Sequence, residues 1–539
     1  MKLNKNGLKD YSLWEKADIE LPKFNVREMV NKTKSNPTWV HFGVGNIFKG
    51  FISVLQDTLL NKQLADTGII GVETFDVEIV EKIYKQYDNL GLLVVMNADG
   101  SLNKRVIGSV AECLVGDTTR KDEWDRLEEI FAEPTLQIVS FTITEKGYAL
   151  TEIFGRYYPE VQCDIENGPA RPRHIISKVA SLAYVRYLRG KHPISFLSMD
   201  NCSRNGEVLA NSLRTIVWEW VARGIVDEKF LEYLNNPEKV SFPWSMIDKI
   251  TPRPSQKVKD ALDNIGFEST EIICTDKKTF IAPFVNTEAS QYLVIEDNFP
   301  NGRMRLEEAG VLFTDRRTVE LTEKMKVTTC LNPLHTALAI FGCLLGYQSI
   351  AEEMKDIHLR KLIEKIGYIE ALPIVTNPEI LNPANFIEEV IDVRFPNPYI
   401  PDTPQRIATD TSLKMPIRFG ETIKTYVERP ELEAGNLVYI PLVIAGWCRY
   451  LMGLEDCGEN MDLSRDPMMD ELKAYVAGIK FGNEASVGDN LKPFLSNEKF
   501  FGVNLYSIGL GEKIEGFVKE MIAGKHAVRK VLEKYLWNS

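Results

Sequence analysis

The sequence predicts an α/β domain built around a parallel sheet, followed by a mostly α-helical domain. In the first half of the 539-residue chain, short apolar segments typical of buried strands alternate with amphipathic helical patterns. This alternation favours a parallel sheet with helices on both faces. From about residue 317 onward, long helical patterns dominate. We therefore expect an N-terminal extension over 1–37, an α/β domain over 38–310 and a helical domain over 317–539.

Each predicted element follows from its own pattern. The segment TWVHFGV at 38–44 is apolar enough for a buried strand, and Phe48, Phe51 and Leu55 recur after it at helical spacing. Further strand-like segments are GIIGVE (68–73), LGLLVVM (90–96), LQIVSFTIT (136–144) and PISFLSM (193–199). In the second half, the helical patterns include 435–452 and 512–537, and loops rich in Pro and Asn interrupt them at 371–383 and 396–404.

Composition and charge exclude several classes of function. The chain carries 76 acidic and 64 basic residues, a net charge of −12, which gives no basic surface for nucleic acid. There is no run of 18 or more apolar residues to span a membrane, and residues 1–30 lack the apolar core of a signal peptide. The sequence therefore predicts a cytoplasmic protein with no nucleic-acid or membrane partner.

Cysteine and histidine spacing argues against a metal site. The eight cysteines are scattered without a CxxC pair, and the six histidines are isolated, so no zinc-binding spacing occurs. We therefore expect free thiols and no metal. Alcohol oxidation by this chain would then need a side-chain base, such as a lysine, in place of zinc.

A glycine motif, GVGNIFKG, directly follows the first predicted strand. Gly43 would allow the tight turn, and Gly45 would let the backbone approach a pyrophosphate. Asn46 and Ile47 would begin the following helix, whose N-terminal amides favour a phosphate charge. A phenylalanine stands where a third glycine would complete GxGxxG, so the motif is an incomplete dinucleotide signature.

Acidic residues near the end of the second predicted strand bear on the choice between NAD and NADP. Glu73 ends that strand and Asp76 follows three residues later, about where a carboxylate binds a ribose hydroxyl in NAD sites. A carboxylate there would repel the extra phosphate of NADP. We therefore expect NAD as the cofactor, bound through Asp76 in preference to Glu73.

The segment LTEKMKVTTCLNPLH at 321–335 brings together a lysine, an amide and an imidazole. Asn332 and His335 are three residues apart and would share a helical face. At about 100° per residue, a regular helix would point Lys326 away from His335, so we predict a π-bulge or break between Lys326 and Asn332. Lys326 is the predicted general base, and its usual pKa of about 10.4 would have to be lowered by burial or a nearby positive charge. If a regular helix ran through the segment, Lys324 would be the alternative.

Several blocks, in the same order along the chain, resemble the polyol-specific long-chain dehydrogenases, the mannitol dehydrogenase family. The resemblance covers about residues 38 to 535. It implies a Rossmann-like NAD-binding domain, a mostly helical C-terminal domain and metal-free hydride transfer on a polyol or sugar acid. The blocks are HFGVGNIFKGF (41–51), TITEKGY (142–148), SMDNCSRNG (198–206), FPWSMIDKITP (242–252), YLVIEDNFPNGR (292–303), CLNPLHT (330–336), VRFPNPYI (393–400) and AGWCRYLMG (445–453).

The resemblance also implies catalytic roles. Lys326 corresponds to the family's general base, and Asn201 and Asn332 correspond to the donors that hold the substrate oxygen. His335 corresponds to the residue that orients the substrate. Glu145 corresponds to the acid that connects the base to solvent through water.

Three further residues are implied to form part of the polyol-binding wall: Asp248, Arg406 and Lys414. The chain also departs from the family in three places. The family's Phe-Arg-Gln-Trp is replaced by Ser290, Gln291, Tyr292 and Leu293, so an expected arginine is absent. The spacing from the predicted base to Asn332 is one residue longer than usual, which keeps Lys324 as the alternative base. The segment 275–287 is also longer than usual.

The expected function is a NAD-dependent reductase that interconverts a keto sugar acid and a sugar acid. Arg406, Lys414 and the order of the C-terminal blocks favour an acid substrate, with fructuronate and D-mannonate preferred. Tagaturonate reductase and mannitol 2-dehydrogenase are close alternatives. A sugar-phosphate dehydrogenase and a catalytically silent, nucleotide-binding family member are more distant ones. We expect a monomer.

Overall fold

A computed structural model describes residues 1–152 and 154–537 of the chain. These residues form two compact units. Unit 1 comprises Met1–Asn97 and Ser101–Glu320, and unit 2 comprises Ala98–Gly100 and the chain from Leu321 onward. The segment 1–37, for which the sequence suggested an extension, lies within unit 1.

The main sheet of unit 1 has six parallel strands in the order β6–β3–β2–β7–β8–β9. Every residue of β2, β3, β7 and β8 is buried, as expected for a sheet that is covered on both faces. The predicted parallel sheet is confirmed. The strands of unit 1 are β1 (Ile19–Glu20), β2 (Trp39–Phe42), β3 (Ile69–Glu73), β4 (Gly91–Met96), β5 (Leu102–Ile107), β6 (Val110–Val115), β7 (Ile138–Phe141), β8 (Ile194–Ser198), β9 (Val240–Ser241), β10 (Ser245–Asp248), β11 (Ile273–Cys274), β12 (Phe280–Ile281), β13 (Phe284–Glu288), β14 (Tyr292–Glu296) and β15 (Leu312–Thr314).

The order of the strands places a switch point in the middle of this sheet. From β2 the sheet continues through β3 to β6 on one side and through β7 and β8 to β9 on the other. In parallel sheets of this kind, ligands bind beyond the carboxyl ends of the strands at such a switch point. The glycine motif follows β2 directly, so it lies at this position.

Alternate strand residues pack into different cores, because successive side chains point to opposite faces of a sheet. Trp39 and Ile138 belong to a core cluster that includes Phe51 and Leu55 from the helical stretch after β2. Their neighbours Val40 and Val139 belong to a second cluster with α4, α7 and α8. The helices of unit 1 are α1 (Tyr11–Lys16), α2 (Val26–Ser35), α3 (Ser53–Asn61), α4 (Lys121–Ala132), α5 (Thr144–Tyr148), α6 (Pro159–Asn167), α7 (Ile175–Leu188), α8 (Asn205–Ala222), α9 (Glu228–Asn235) and α10 (Gln256–Asn264).

Smaller sheets complete unit 1. Four strands pair in the order β1–β5–β4–β13, and three pair in the order β10–β14–β15. The strands β11 and β12 form an antiparallel hairpin of their own, Ile273–Ile281. This hairpin overlaps the segment 275–287, which the sequence singled out as long.

Helices dominate unit 2, and several of them contain π-helical turns. The π-helical segments of this unit are Met325–Cys330, Ile366–Ala371, Val390–Arg394 and Pro416–Gly420. Helix α11 (Arg316–Lys324) begins in unit 1 and ends in unit 2. The remaining helices are α12 (Asn332–Leu345), α13 (Ile350–Glu353), α14 (Ile357–Lys365), α15 (Pro383–Glu389), α16 (Pro404–Ile407), α17 (Thr411–Met415), α18 (Glu421–Glu428), α19 (Tyr439–Tyr450), α20 (Met469–Val476), α21 (Lys492–Leu495), α22 (Glu498–Phe501), α23 (Gly511–Met521) and α24 (Ala527–Trp537).

One helical stretch, Arg316–Leu345, is long and apolar enough to cross a membrane by length and composition alone. Its most apolar window is 78% buried inside the protein. Burial of that extent is typical of a core helix of a globular protein.

Candidate active site

The glycine motif of unit 1 forms a tight turn with an open face. Gly43 has a φ of +95°, and a Cβ there would lie 2.1 Å from the carbonyl oxygen of Thr142, so only glycine fits. No described atom lies within 4 Å of the position that a Cβ on Gly45 would take. Asn46 and Ile47 begin the helix, which continues as a π-helical turn, Phe48–Ile52. The motif therefore leaves room for a ligand beside Gly45 at the start of a helix.

The carboxylate of Glu73 is fully engaged by the backbone. Its Oε1 accepts hydrogen bonds from the amides of Thr74, Phe75 and Asp76 at 2.9 to 3.3 Å, and its Oε2 accepts one from Val44 at 3.2 Å. Burial raises the pKa of Glu73, and the four amide donors act against that rise. Glu73 therefore holds the end of β3 against the glycine turn.

Asp76 is also buried, but only one of its oxygens is engaged. Its Oδ2 accepts a hydrogen bond from Thr275 Oγ1 at 2.7 Å. Its Oδ1 is buried and has no hydrogen-bond partner among the described residues. An unpaired buried acceptor costs about 1–3 kcal/mol, which a donor on a bound ligand would recover. Of the two acids predicted from the sequence, Asp76 is the one with an oxygen still available.

Asp200 joins two segments that carry predicted catalytic residues. Its carboxylate accepts hydrogen bonds from the amides of Ile143 and Thr144, both at 2.9 Å, and from the Tyr148 hydroxyl at 2.6 Å. Thr144 has a φ of +63°, which is strained for a β-branched residue. The paired amides hold that turn in place. Glu145, exposed on α5, directly follows Thr144.

Asn201 and Asp248 also lie at strand ends of unit 1. Asn201 is exposed and follows Asp200 after the end of β8. Asp248 is partly buried at the end of β10, opposite Tyr292 of β14 in the antiparallel register. Asn201 therefore lies beyond the carboxyl end of a strand of the parallel sheet, which is where such sheets place ligands, whereas Asp248 ends a strand of the separate β10–β14–β15 sheet.

In unit 2, the predicted π-turn near Lys326 is confirmed. Residues Met325–Cys330 are π-helical, and Leu331, with φ −129° and ψ −61°, separates them from α12. The amide of Leu331 donates to the carbonyl of Lys326 at 3.2 Å, the five-residue spacing of a π-helix. Lys326 is 3% exposed. Asn332 begins α12, and His335 lies one turn further along.

The imidazole of His335 is neutral and lies among positive charges. Burial, followed by the charges of four nearby cations, lowers its pKa to about 3. The ring packs against Phe395, with 5.0 Å between ring centroids. Asp402 Oδ2 lies 3.4 Å from His335 Nε2. That contact lacks hydrogen-bond geometry, so Nε2 is buried without a hydrogen-bond partner in the described parts of the chain.

The four cations, which we call the basic cluster, come from three neighbouring stretches of unit 2. Arg406 is mostly exposed and pairs with Asp402. The Lys414 ammonium donates to the carbonyls of Ile407 and Thr409, and burial lowers its pKa to about 8. The members of the cluster are Arg394, Arg406, Lys414 and Arg418.

Arg394 and Arg418 were not identified from the sequence. Arg418 donates to Thr336 Oγ1 at 2.5 Å and to the carbonyl of Asn332 at 3.4 Å, and burial lowers its pKa to about 10. Arg394 is 5% exposed. Both lie in π-helical segments, as Lys326 does. The sequence signal that could have identified them is their position, because Arg394 lies inside the VRFPNPYI block and Arg418 lies just after the segment TDTSLKMP at 409–416.

Two further features bear on the predicted chemistry. All eight cysteines are free thiols. Among the described residues, one group of possible metal ligands lies together, Glu455, Cys457 and Glu459, and Glu459 is exposed. Exposed acidic groups of this kind are common without a metal, so the absence of metal from catalysis stays a prediction.

Family models for two consecutive domains match this chain. The mannitol dehydrogenase Rossmann domain matches residues 37–308, and the mannitol dehydrogenase C-terminal domain matches residues 318–521. The chain belongs to the mannitol dehydrogenase family. The predicted family and the predicted fold class, a Rossmann-like domain followed by a mostly helical one, are confirmed.

Relatives within the mannitol dehydrogenase family differ in the activity that their names give. A D-mannonate oxidoreductase of Thermotoga maritima is 55% identical over 536 residues, which cover 99% of each chain. A mannitol 2-dehydrogenase of Neosartorya fischeri is 29% identical over 559 aligned positions and also covers 99% of each chain. Both alignments extend over nearly the whole of each protein.

Solved structures from this family share the fold. The Pseudomonas fluorescens mannitol 2-dehydrogenase, in a ternary complex with NAD and D-mannitol, aligns over 100% of both chains with a TM-score of 0.70 and 24% identity. A D-sorbitol dehydrogenase in substrate-free form aligns over 96% of this chain and 98% of its own, with a TM-score of 0.77 and 24% identity.

Proposed function

We propose that this member of the mannitol dehydrogenase family is a NAD-dependent oxidoreductase that interconverts fructuronate and D-mannonate. The observation that carries the proposal is the basic cluster of unit 2. Four cations influence one neutral imidazole, and Asp402, which lies 3.4 Å from Nε2 of that ring, is already paired with Arg406. A site with this excess of positive charge suits a substrate that ends in a carboxylate.

The name of the Thermotoga maritima relative supports the same substrate class. At 55% identity over 99% of both chains, the sequence is much more similar to that D-mannonate oxidoreductase than to the Neosartorya fischeri mannitol 2-dehydrogenase at 29%. A neutral polyol would gain nothing from the positive charge of the basic cluster, whereas a carboxylate would be attracted to it. An acid substrate is therefore preferred over mannitol or fructose.

The residues that follow β2 and β3 fit an adenine dinucleotide. Gly45 leaves an open face at the start of a helix, where pyrophosphate binds in this fold. Asp76 Oδ1 is a buried acceptor that a ribose hydroxyl would satisfy. NAD, when bound, accepts or supplies the hydride at the reacting carbon.

The proposed catalytic roles divide between a proton donor and groups that hold the substrate oxygen. In the direction of reduction, Lys326 gives a proton to the carbonyl oxygen as it becomes a hydroxyl. Asn201 and Asn332 donate hydrogen bonds to the same oxygen, as an oxyanion hole does. Glu145, which is exposed, returns a proton to Lys326 through water.

Substrate recognition in this proposal uses the remaining polar groups. His335, neutral because its pKa is about 3, donates or accepts a hydrogen bond through Nε2. Arg406 and Lys414 bind the substrate carboxylate, and Asp248 binds a hydroxyl group. The free thiols of all eight cysteines support a cytoplasmic location. A monomer is the proposed state.

The proposed function is tested by following the loss of NADH absorbance with fructuronate, tagaturonate and fructose side by side. We expect kcat/KM for fructuronate to exceed that for fructose by at least about 100-fold, because only the acid engages the basic cluster. A preference for fructose would establish a mannitol 2-dehydrogenase instead, and a preference for tagaturonate would establish the other uronate reductase. NADH binding without turnover of any of the three would support a catalytically silent member.

A matched pair of variants tests the role of the cluster itself. Arg406→Gln removes a cation that is paired with one aspartate of unit 2, and Arg360→Gln removes one that is paired with Glu364 and Asp392 at the surface. We expect Arg406→Gln to raise KM for fructuronate about tenfold with little change for fructose. Arg360→Gln should leave both KM values unchanged. Equal effects of Arg406→Gln on both substrates would reject carboxylate recognition by this residue.

A further inference from the structure

The hairpin Ile273–Ile281 is attached to the loop that follows β3 by three contacts. Thr275 Oγ1 donates to Asp76 Oδ2 at 2.7 Å, and the amide of Asp276 donates to Glu78 Oε1 at 2.8 Å. The ammonium of Lys277 lies 5.1 Å from the centroid of the Phe75 ring. These contacts connect the hairpin to the same strand end that carries Glu73 and Asp76.

The first contact determines which oxygen of Asp76 is available. Because Thr275 occupies Oδ2, the carboxylate cannot rotate without losing a hydrogen bond to a charged group. Its Oδ1 remains buried and without a hydrogen-bond partner in the described structure. Glu73 is less available than Asp76 to accept a hydrogen bond from a ribose hydroxyl, because four backbone amides already donate to its carboxylate.

The third contact leaves an exposed aromatic ring at the same strand end. Phe75 is 68% exposed even though Lys277 lies over its ring. A flat, accessible aromatic ring is a surface on which a nucleobase can stack. The ring lies between Glu73 and Asp76 in the sequence, so it flanks the acceptor that is proposed to bind ribose.

We propose that the hairpin Ile273–Ile281 is a specificity element for the adenosine half of the cofactor. Thr275 acts as a positioning residue that aims Asp76 Oδ1 at the ribose 2′-hydroxyl, and Phe75 receives the adenine ring. The hydroxyl of NAD donates to Asp76 Oδ1, whereas the 2′-phosphate of NADP brings negative charge against the same oxygen. This inference rests on the proposed NAD-dependent function and adds the residues that enforce the choice of cofactor.

The inference is tested by titrating the full-length protein with NADH and with NADPH in the absence of sugar. Binding is followed by the quenching of tryptophan fluorescence, so turnover plays no part in the measurement. The variant Thr275→Val keeps the size of the side chain and removes the hydrogen bond to Asp76. We expect it to weaken NADH binding about tenfold while NADPH binding changes less than about threefold.

Three further variants separate positioning from general damage to the fold. Thr275→Ser keeps the hydroxyl and should restore the wild-type preference. Thr270→Val removes a similar bond, from Thr270 Oγ1 to Asp263 at 2.5 Å, that lies away from Asp76, and should bind both dinucleotides as the wild type does. Phe75→Ala should weaken NADH and NADPH binding by the same factor, because both carry adenine.

The outcomes distinguish the two levels of the proposal. If the wild type binds NADH and Thr275→Val binds it equally well, the hairpin has no role in specificity and this inference is wrong. A wild type that prefers NADPH, or a Thr275→Val variant that loses both dinucleotides equally and unfolds at a lower temperature, would also overturn it. A wild type that binds neither dinucleotide would overturn the proposed function, and it would therefore also overturn this inference.

Discussion

Two buried histidines, His41 in unit 1 and His335 in unit 2, have nearly the same pKa but different hydrogen-bond surroundings. Burial lowers the pKa of each to about 3, so both rings are neutral at pH 7. Both nitrogens of His41 have hydrogen-bond partners, Ser140 Oγ at 2.6 Å and Thr142 Oγ1 at 2.9 Å. His335 is surrounded by the basic cluster, and its Nε2 has no hydrogen-bond partner among the described residues.

This difference separates a structural histidine from a candidate binding one. The hydroxyl groups beside His41 satisfy both of its nitrogens, so the ring is part of the packing beneath the glycine turn. The open nitrogen of His335 is unfavourable unless a ligand supplies a hydrogen-bond partner, and the nearby cations favour a ligand that carries negative charge. A shifted pKa by itself therefore does not identify a functional site, whereas an unsatisfied atom together with an unbalanced charge does.

The largest expected effect concerns Lys326, which lies nine residues before His335 in the same segment. Lys326→Ala should lower kcat by at least about 100-fold, because the variant removes the proposed proton donor. Lys324→Ala, which removes an exposed neighbour, is the control and should retain activity. The measurement is steady-state turnover of NADH with fructuronate. Loss of activity in Lys324→Ala together with normal activity in Lys326→Ala would assign the base to Lys324. It would also contradict the prediction that the π-turn brings Lys326 to the reacting group.

The comparison of the two histidines is tested directly by equivalent substitutions. His335→Gln should lower kcat/KM for fructuronate about 30-fold and leave the free energy of unfolding nearly unchanged, because a ligand-facing nitrogen is lost. His41→Gln should lower the free energy of unfolding by about 2 kcal/mol, because the Ser140 and Thr142 hydroxyls lose a well-fitted partner. Kinetics and urea unfolding on both variants provide the two measurements. If His335→Gln destabilises the protein as much as His41→Gln does, the distinction between them is wrong.

Asp200 extends the comparison, because this partly buried carboxylate of unit 1 is satisfied by three donors and positions the residues that carry them. Asp200→Asn keeps the shape of the side chain, but its amide NH2 group faces at least one of the three donors from which the carboxylate accepts hydrogen bonds. We expect kcat to fall about tenfold with an unchanged KM for NADH, because the strained turn at Thr144 relaxes and moves Glu145. The pH dependence of kcat should also shift if Glu145 passes protons to the base. Tyr148→Phe removes one of the three donors and should have a smaller effect on kcat.

The last expected effect is on stability at low pH, and it applies to both histidines alike. Each histidine has a folded-state pKa of about 3, below its usual 6.5, so the unfolded state binds more protons between these values. The stability that each contributes is fully present above pH 6.5 and is lost as the pH falls toward 3, at about 1.4 kcal/mol per pH unit. Urea unfolding at pH 7, 6 and 5 measures this slope. The slope should decrease in His41→Gln and in His335→Gln alike, and an unchanged slope in either would contradict the assigned pKa.

Parts of the site could be predicted because they depend on local sequence. Gly43 has a left-handed φ at the end of an apolar strand, and such a turn is visible as a glycine after a β-branched and aromatic run. The π-turn at Met325–Cys330 followed from the angle between Lys326 and His335 on a regular helix. Both are properties of a few consecutive residues.

Other parts could not be predicted, because they depend on residues that are distant in the sequence. The Glu73 carboxylate is engaged by four amides of two separate turns, and no pattern in the sequence indicates how many of its oxygens remain available. The contact between Thr275 and Asp76 joins residues 199 positions apart. The role of Asp200 likewise depends on a turn 56 and 57 residues earlier.

The sequence by itself determined the parallel sheet, the helical second half, the glycine turn and the family. These features depend on the periodicity of apolar residues and on motifs, which are properties of neighbouring residues. Only the tertiary structure decided which polar groups are satisfied and which still need a partner. Asp76 Oδ1 and His335 Nε2 are left open, while Glu73 and His41 are not. The physical reason is that hydrogen-bond satisfaction and net charge at a point are sums over every element that packs there.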